Sequence, residues 1–543
     1  MKKQQSESSA ATNPETQPDP TPAPVSLGKW DFYFIVKLLL FWRGMIGFHP
    51  LENLAFAAFL LIPAKSRLWH KVKQVAAVLL GLGLLYYDSW LPSFGRALSQ
   101  AALVSKFDTA YLLELAGRFV SLNVIAMLVI AWVAYRLIAP RVRLGLIVIG
   151  CMALLAIFQQ KQGYSDAQIE GGAPPVKGEA PRTGEKPDLT KLLRDFYAKE
   201  ATRSVAFPVP PLEAVPFDVI FIHICSLSWD DIRAAGLEQH PLWKRFDFLF
   251  THFNSAASYS GPAAIRIQRA TCGQASNDGL YQPAADRCYL MNNLRRSGFE
   301  PQLAMNHDGH FDDFLKTLQA QHLNVPPMPL DGASVVQHAF DGAPIYDDLS
   351  VLMQWMENRQ KSDATRVALY YNTISLHDGN RLVGRNSKLG SIASYKIRLA
   401  GLLDELEKFM LELEHKGRRA VVVMVPEHGA AVQGDPMQIA GLREIPSPRI
   451  TLVPVGIKVI GEGGLRQGNT LMLDAETSYL AISQIVAHML EVSPFSGSGF
   501  NPADYVSNLA ITPLVSQNES AVVMRYNNRT FWHPGNEEWS EYH

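Results

Sequence analysis

Five apolar runs crowd the first third of this 543-residue chain, and they limit its possible folds more than any other feature. They lie at about 31–47, 50–64, 73–91, 119–138 and 143–159. A helix that crosses a bilayer needs about 20 mostly apolar residues. The third and fourth runs meet that length and the fifth sits at its lower edge. The first carries Lys37 and Arg43, and the second stops at Pro63, so this pair also fits a re-entrant or interfacial hairpin. The charges of the connections favour five spans. Lys65, Arg67, Lys71 and Lys73 follow the second run, and Arg136, Arg141 and Arg143 follow the fourth. Basic connections stay in the cytoplasm, which puts the N-terminus inside and everything after residue 160 outside. Trp30, Trp42, Trp69 and Trp90 stand near run ends as interface anchors. Charged residues make up only 19 % of the chain, below the roughly 25 % of globular proteins, as expected if part of it lies in lipid. The spacing therefore predicts a five-helix transmembrane bundle over 30–160. Residues 1–29, rich in Gln, Ser, Thr and Pro, read as a flexible cytoplasmic tail without a removable signal.

Beyond the last run the texture changes twice. Residues 161–215 are rich in Gly, Pro and charge and read as a linker, with one short helix around 188–200 lying on the membrane surface. From residue 216 to 543, short β-branched runs alternate with amphipathic stretches. Strands are predicted at 217–225, 246–253, 301–306, 366–374, 419–426 and 450–459. Helices are predicted at 229–238, 261–270, 287–298, 308–321, 346–360, 391–416 and 473–491, with a terminal hairpin within 519–533. Continuous apolar strands between helices indicate an α/β domain whose mostly parallel sheet is covered by helices on both faces. Fifty basic against 51 acidic residues exclude a chain-wide basic footprint for nucleic acid. Four cysteines are too few for a disulfide-built scaffold.

In open α/β sheets ligands bind beyond the carboxyl ends of the strands, so the reactive residues there matter most. One predicted strand ends at Cys225, another runs through Pro426 into Glu427-His428-Gly429, and a third ends shortly before His377-Asp378-Gly379. Ser258-Tyr259-Ser260-Gly261-Pro262 opens a helix. A thiol, carboxylate, imidazole and hydroxyl of this kind suit zinc. Each also has a plainer reading. Cys225 could be a small buried hydrophobe, and His377-Asp378-Gly379-Asn380 an ordinary turn. Ser260, expected at the N-cap, could serve only as a cap, or as a nucleophile activated by the helix end and a metal. With Cys151 in the fifth run, three cysteines remain outside. Cys272 and Cys288 could close a short loop, leaving Cys225 for metal; a disulfide involving Cys225 is the alternative.

At these residues the chain resembles the membrane-bound phosphoethanolamine transferases of the alkaline phosphatase/sulfatase superfamily, and within them the branch that serves bacterial cellulose synthesis. The resemblance is carried by Phe48-His49-Pro50-Leu51, Ile224-Cys225-Ser226-Leu227-Ser228-Trp229, the string from Ser258 to Arg266, Leu376-His377-Asp378-Gly379-Asn380, Val425-Pro426-Glu427-His428-Gly429, and Gly441-Leu442-Arg443 with Ile445-Pro446-Ser447-Pro448. It spans residues 30 to about 515. It implies zinc held by Cys225, Ser260, Glu427 and His428, with Ser260 as nucleophile and Tyr259, His377 and Arg443 lining the site. It further implies phosphatidylethanolamine as donor, a glucan 6-hydroxyl as acceptor, a bacterial inner-membrane location with a periplasmic catalytic domain, and subunits of a cellulose synthase complex as partners. Where lipid A-modifying relatives carry a second histidine, this chain has Arg381, which could hold a phosphate. The rival readings are another transferase, phosphodiesterase or sulfatase of the superfamily, and a non-catalytic membrane scaffold.

Overall fold

A computed structural model describes residues 27–43, 46–63, 66–89, 107–119, 122–167, 187–211 and 213–542, except 436, 498, 536 and 537. Nearly all of the expected tail, Trp90 and the middle of the expected linker fall outside the described residues. The chain divides into two units, one of Met1–Ser89 with Ala126–Val176 and the other of Trp90–Ile125 with Lys177–His543.

All five apolar runs are helical, as Trp30–Trp42, Pro50–Leu61, Arg67–Tyr87, Leu122–Ile138 and Leu144–Ala167. Among the described residues only Arg67–Tyr87 is both long and apolar enough to cross a membrane; Pro50–Leu61, Ala126–Ile138 and Leu144–Ile157 are shorter apolar stretches. The expectation of five spans is corrected accordingly. A 12-residue helix such as Pro50–Leu61 rises only about 18 Å, short of a hydrocarbon layer about 30 Å thick. Lys37, which made the first run suspect, is fully buried and paired with Asp88. Asn53 accepts from Lys37 at 2.8 Å and donates to Asp88 at 2.9 Å, so the buried charges neutralise each other. Phe34, Phe48, Phe56 and Met152 belong to the apolar cluster of this unit, and Lys37 Nζ lies 5.6 Å from the Phe48 ring centroid.

In the second unit the main sheet has seven strands: β1 (Asp218–Ile224), β2 (Phe248–Asn254), β3 (Glu300–Met305), β4 (Val367–Thr373), β5 (Ala420–Pro426), β6 (Leu452–Ile460) and β7 (Leu471–Leu473). Their spatial order is β7-β2-β6-β5-β1-β4-β3. Only β6 runs against its neighbours; the other pairings are parallel. β1 and β5 are buried along their whole length, because successive side chains enter opposite cores. Val219, Phe221, Val421 and Val423 face one core, and Ile220, Ile222, Val422 and Met424 the other. The first is covered by helices Ser260–Gln268, Leu290–Arg296 and Tyr479–Glu491, and the second by Asp348–Gln360 and Ser391–His415. In Ser391–His415, residues Leu399, Leu402, Leu406, Phe409 and Leu413 form the buried stripe that their three- and four-residue spacing predicts.

The expected terminal hairpin is the middle of a four-stranded antiparallel sheet, Val515–Gln517, Ala521–Tyr526, Arg529–Pro534 and Ser540–Glu541. The helix expected near 188–200 is Leu189–Glu200, but its apolar side packs on this small sheet, which corrects the expected placement on the membrane surface. A helix that periodicity did not single out, Thr109–Phe119, lies between the third and fourth apolar runs and belongs to this unit.

Candidate active site

Strand register brings the first two groups together. Ile224 of β1 pairs with Pro426 of β5 and with Thr373 of β4, so the next residues, Cys225 and Glu427, emerge side by side at the carboxyl edge. Glu427 N–H donates to Ile224 O at 2.8 Å and Cys225 N–H to Thr373 O at 2.9 Å. After Cys225 the chain turns at Ser226, whose φ of 68° lies in a region most side chains avoid. Ser228 and Asp231 then form a reciprocal capping box that starts the helix Trp229–Ala235. After His428, Gly429 passes so close that a Cβ would stand 2.7 Å from Ser228 Oγ and 2.9 Å from Asp231 Oδ2. Only glycine fits there.

Ser260 is the first helical residue, and Tyr259 rather than Ser260 is the N-cap, without a side-chain cap bond. That corrects the expected cap position. The Ser260 hydroxyl instead lies 3.5 Å from Cys225 Sγ and 3.4 Å from His428 Nε2. The donor atoms of Cys225, Glu427 and His428 all lie within 4.8 Å of one another, and all three residues are buried. His428 Nδ1 sits 2.9 Å from Gly429 O, which assigns the proton to Nδ1 and leaves Nε2 as a lone-pair donor.

The charge balance of this cluster is unusual. Burial, reinforced by Glu427, pushes the Cys225 thiol up to about 12. Burial pushes Glu427 up to about 7, against the hydrogen bond from Asn372. Burial, with Arg443 beside it, holds the His428 imidazole well below its usual range and therefore neutral. Glu427 Oε1 accepts from Asn372 at 2.7 Å, while Oε2 is buried without a partner. Two dry acids, an unpartnered carboxylate oxygen and a neutral imidazole nitrogen around one hydroxyl form a donor set that a divalent cation would complete, since it would discharge both acids. The residues present fit such an ion.

The remaining expected residues line a cleft of about 250 Å³ with Ser260 and Glu427. His377 Nδ1 lies 2.6 Å from Asp378 O, and burial, then Arg443, pulls its imidazole down to about 4. Arg443 donates to Ser226 Oγ at 3.2 Å, lies 5.6 Å over the Tyr259 ring, and has a buried Nε with no partner. The Tyr259 hydroxyl donates to Glu444 at 2.5 Å, so its ring forms the wall. Arg381 is not in this wall; it pairs with Glu114 at 2.5 Å. Cys272 and Cys288 form a disulfide away from the cleft, and Cys225 is a free thiol.

Sequence reasoning missed four contributors, Asn372, Phe107, Tyr111 and Arg118. Asn372 Nδ2 donates to both Glu427 and His223 O, and its Oδ1 accepts from His307 Nε2 at 2.8 Å. Its signal was a lone amide at the end of an apolar strand. Phe107 and Tyr111, from the unforeseen helical segment, also line the cleft. Tyr111 and Arg118 hold Asp378, the arginine through both carboxylate oxygens at 2.7 and 2.9 Å. Their signal lay in Glu114 and Arg118, one helical turn apart.

Fold and site together define the class: an α/β domain with a hydroxyl and a set of groups able to hold a metal gathered at the carboxyl edge of its sheet, in a chain that also carries apolar helices. The chain belongs to the BcsG family. The profile described as "Cellulose biosynthesis protein BcsG C-terminal domain" matches residues 176–539, and "Cellulose biosynthesis protein BcsG N-terminal domain" matches residues 30–157. The chain is 39 % identical to the cellulose biosynthesis protein BcsG of Salmonella typhimurium strain LT2, over 97 % of this chain and 99 % of that protein. It is 40 % identical to that of Escherichia coli strain K12, over 95 % and 96 %. Among solved structures it is similar to the lipooligosaccharide phosphoethanolamine transferase A of Neisseria meningitidis, at 12 % identity and a TM-score of 0.44, covering 90 % of this chain and 97 % of that one.

Proposed function

We propose that the chain is a zinc-dependent phosphoethanolamine transferase that takes phosphoethanolamine from phosphatidylethanolamine and delivers it to the 6-hydroxyl of cellulose glucosyl units. The observation that carries this reading is the convergence of Cys225, Ser260, Glu427 and His428 at one end of the sheet, from three separate stretches of chain. The family's role in cellulose biosynthesis supports the acceptor. In this reading the protein resides in the bacterial inner membrane with residues 216–543 in the periplasm, and its helices meet the lipid donor and subunits of the cellulose synthase complex.

Cys225, Ser260, Glu427 and His428 would hold the zinc, which when bound lowers the pKa of the serine hydroxyl and offsets phosphoryl charge. Ser260 Oγ forms a bond to the donor phosphorus, the bond from phosphorus to the diacylglycerol oxygen breaks, and diacylglycerol leaves with a proton. The glucan 6-hydroxyl then attacks the Ser260 phosphodiester, the bond to Ser260 Oγ breaks, and the serine recovers its proton. His377 is neutral, with Nδ1 held by Asp378 O, so Nε2 accepts the glucan proton. Arg443, with its unpartnered Nε, orients the phosphoryl oxygens.

The test is intact-protein mass spectrometry of the full chain after exposure to phosphatidylethanolamine. The expected result is one added phosphoethanolamine group mapped to Ser260 and absent from Ser260→Ala. An unmodified wild-type protein, or release of phosphoethanolamine with no glucan product, sinks the transferase reading. Glucan modification left intact in cells by Ser260→Ala leaves only the scaffold role.

A further inference from the structure

One wall of the Ser260 cleft is built from aromatic rings that the transfer scheme leaves unused. Phe311 stands across Phe340, with ring centroids 4.5 Å apart and planes at 80°, and Phe107 meets Phe340 at 5.1 Å and 71°. Phe340 in turn lies 5.0 Å from the ring of His377. All three phenylalanines line the cleft together with Ser260 and Arg443. Phe340 is buried, whereas Phe107 and Phe311 are half-buried. Rings set nearly at right angles offer π faces in more than one direction, and a π face attracts a cation.

Carboxylates accompany these rings. Asp312 follows Phe311 and Asp341 follows Phe340, so the two acids flank one ring pair; both are exposed and both line the cleft. Asp341 Oδ1 accepts from Ala343 N–H at 3.0 Å. Asp308, a third acid of the wall, lies 3.2 Å from His310. Among the described residues no cation pairs with Asp312. Partial burial, then the charges of Asp313 and Glu519, pushes its carboxyl up, as expected of an acid that faces like charge without a counter-ion. Arg443 is the one arginine or lysine among the described residues of the wall. It stands at the Ser260 end: its Nη1 lies 3.4 Å from His428 Nδ1, and the Nε2 of that ring lies 3.4 Å from Ser260 Oγ. The cleft therefore has a cationic pole beside the nucleophile and an anionic, aromatic pole next to His377.

We propose that Asp312 and the ring pair Phe311–Phe340 form a subsite for a primary ammonium, the free end of the phosphoethanolamine head group, an inference that rests on the transfer reading above. The head group is a zwitterion whose phosphate and amine are joined by two carbons, and the cleft repeats that order of charge, with Arg443 at the phosphate end. The ammonium donates to the Asp312 carboxylate while its charge lies against the rings. A glycerol head group is neutral and meets neither. A trimethylammonium meets the rings but has no proton to donate. A glucan is neutral, and a fatty-acyl chain would leave the carboxylates facing hydrocarbon, so neither matches a wall that carries acids.

The experiment follows the initial rate of Ser260 modification by intact-protein mass spectrometry, in the detergent-solubilised full chain supplied with zinc, over a range of phosphatidylethanolamine or phosphatidylglycerol concentrations. Wild type is expected to react at least about tenfold faster with phosphatidylethanolamine. Asp312 has a φ of 51°, a region that asparagine tolerates, so Asp312→Asn keeps the loop. It is expected to raise KM for phosphatidylethanolamine about tenfold, with kcat and the phosphatidylglycerol rate kept. Phe311→Leu, which keeps apolar bulk but removes the π face, is expected to raise the same KM about threefold. Equal rates with both lipids in wild type, an unchanged KM in Asp312→Asn, or the same loss with both lipids overturns the subsite and leaves the transfer reading standing. A defect confined to passage of the Ser260 adduct to glucan assigns the wall to the acceptor and also overturns it. No adduct in wild type from either lipid sinks the transfer reading and the subsite with it.

Discussion

At Gly429 a single hydrogen atom decides whether the corner closes. An alanine there drives its Cβ against Ser228 and Asp231, the two residues whose capping box starts the next helix. Gly429→Ala is expected to cost about 1–3 kcal/mol and to lower Tm by several degrees in a thermal scan. It also displaces His428, so zinc content measured by mass spectrometry falls with it. Glu427→Gln is a cleaner probe because the amide keeps the shape and removes the charge. Changes beyond the ligands of a metal already cost about 10–100-fold in affinity; loss of this ligand's charge is expected to cost at least that, read as the zinc retained after competition with a chelator. Unchanged retention would show that Glu427 is a buried acid and nothing more. The residues of this corner were legible because each closes a strand or opens a helix. Asn372 was not. An amide in an apolar strand has no motif around it, and only the register places it against Glu427.

The helix Thr109–Phe119 is the element that periodicity left out. Eleven residues with Glu114 and Arg118 on one side give too short an apolar stripe to stand out beside the longer runs on either side. Its contacts are nonetheless specific: Arg118 and Tyr111 grip Asp378, and Glu114 accepts from Ser391 N–H at 3.1 Å and pairs with Arg381. Burial opposes ionisation of Asp378, but Arg118 and Ser391 hold its carboxyl well below the ordinary range. An unfolded aspartate titrates near about 3.9. The native group sits lower, so the pair's stabilisation is complete above that pH and is lost progressively as pH falls below it toward the native value. Arg118→Gln is therefore expected to lower Tm at pH 7 and to narrow the difference from wild type below about pH 4. A Tm gap independent of pH would show that the loss is packing rather than charge. Because Asp378 follows His377 and Tyr111 lines the cleft, the same variant is expected to reduce transfer, about tenfold if the His377 loop shifts by a fraction of an ångström.

At the scale of the molecule, the proposed metal and the disulfide act on different parts. Stripping divalent cations leaves two buried acids without a counter-charge. Chelation is expected to abolish transfer and to lower Tm, with zinc restoring both. Activity that persists in a fully stripped sample would refute the metal site. Reducing Cys272–Cys288 opens a loop with a sequence separation of 16, a loss of roughly 3 kcal/mol by loop-closure entropy, and is expected to lower Tm while the Ser260 cleft keeps its zinc. The main sheet was legible for a simple reason. Its strands are buried on both faces, so they read as unbroken apolar runs between amphipathic helices. The apolar runs of the first unit were legible as helices but not as spans, since a run of apolar letters does not say where a helix breaks or whether Lys37 has a partner.

Composition and periodicity by themselves determined which segments are helices and strands, which faces are apolar, and which reactive residues close the strands, because these are local consequences of side-chain size, polarity and spacing. Tertiary structure alone decided which of those residues meet. The alignment of Ile224 with Pro426, the left-handed turn at Ser226 and the packing of Thr109–Phe119 on Asp378 join positions up to hundreds of residues apart, and no local preference encodes a distance of that kind.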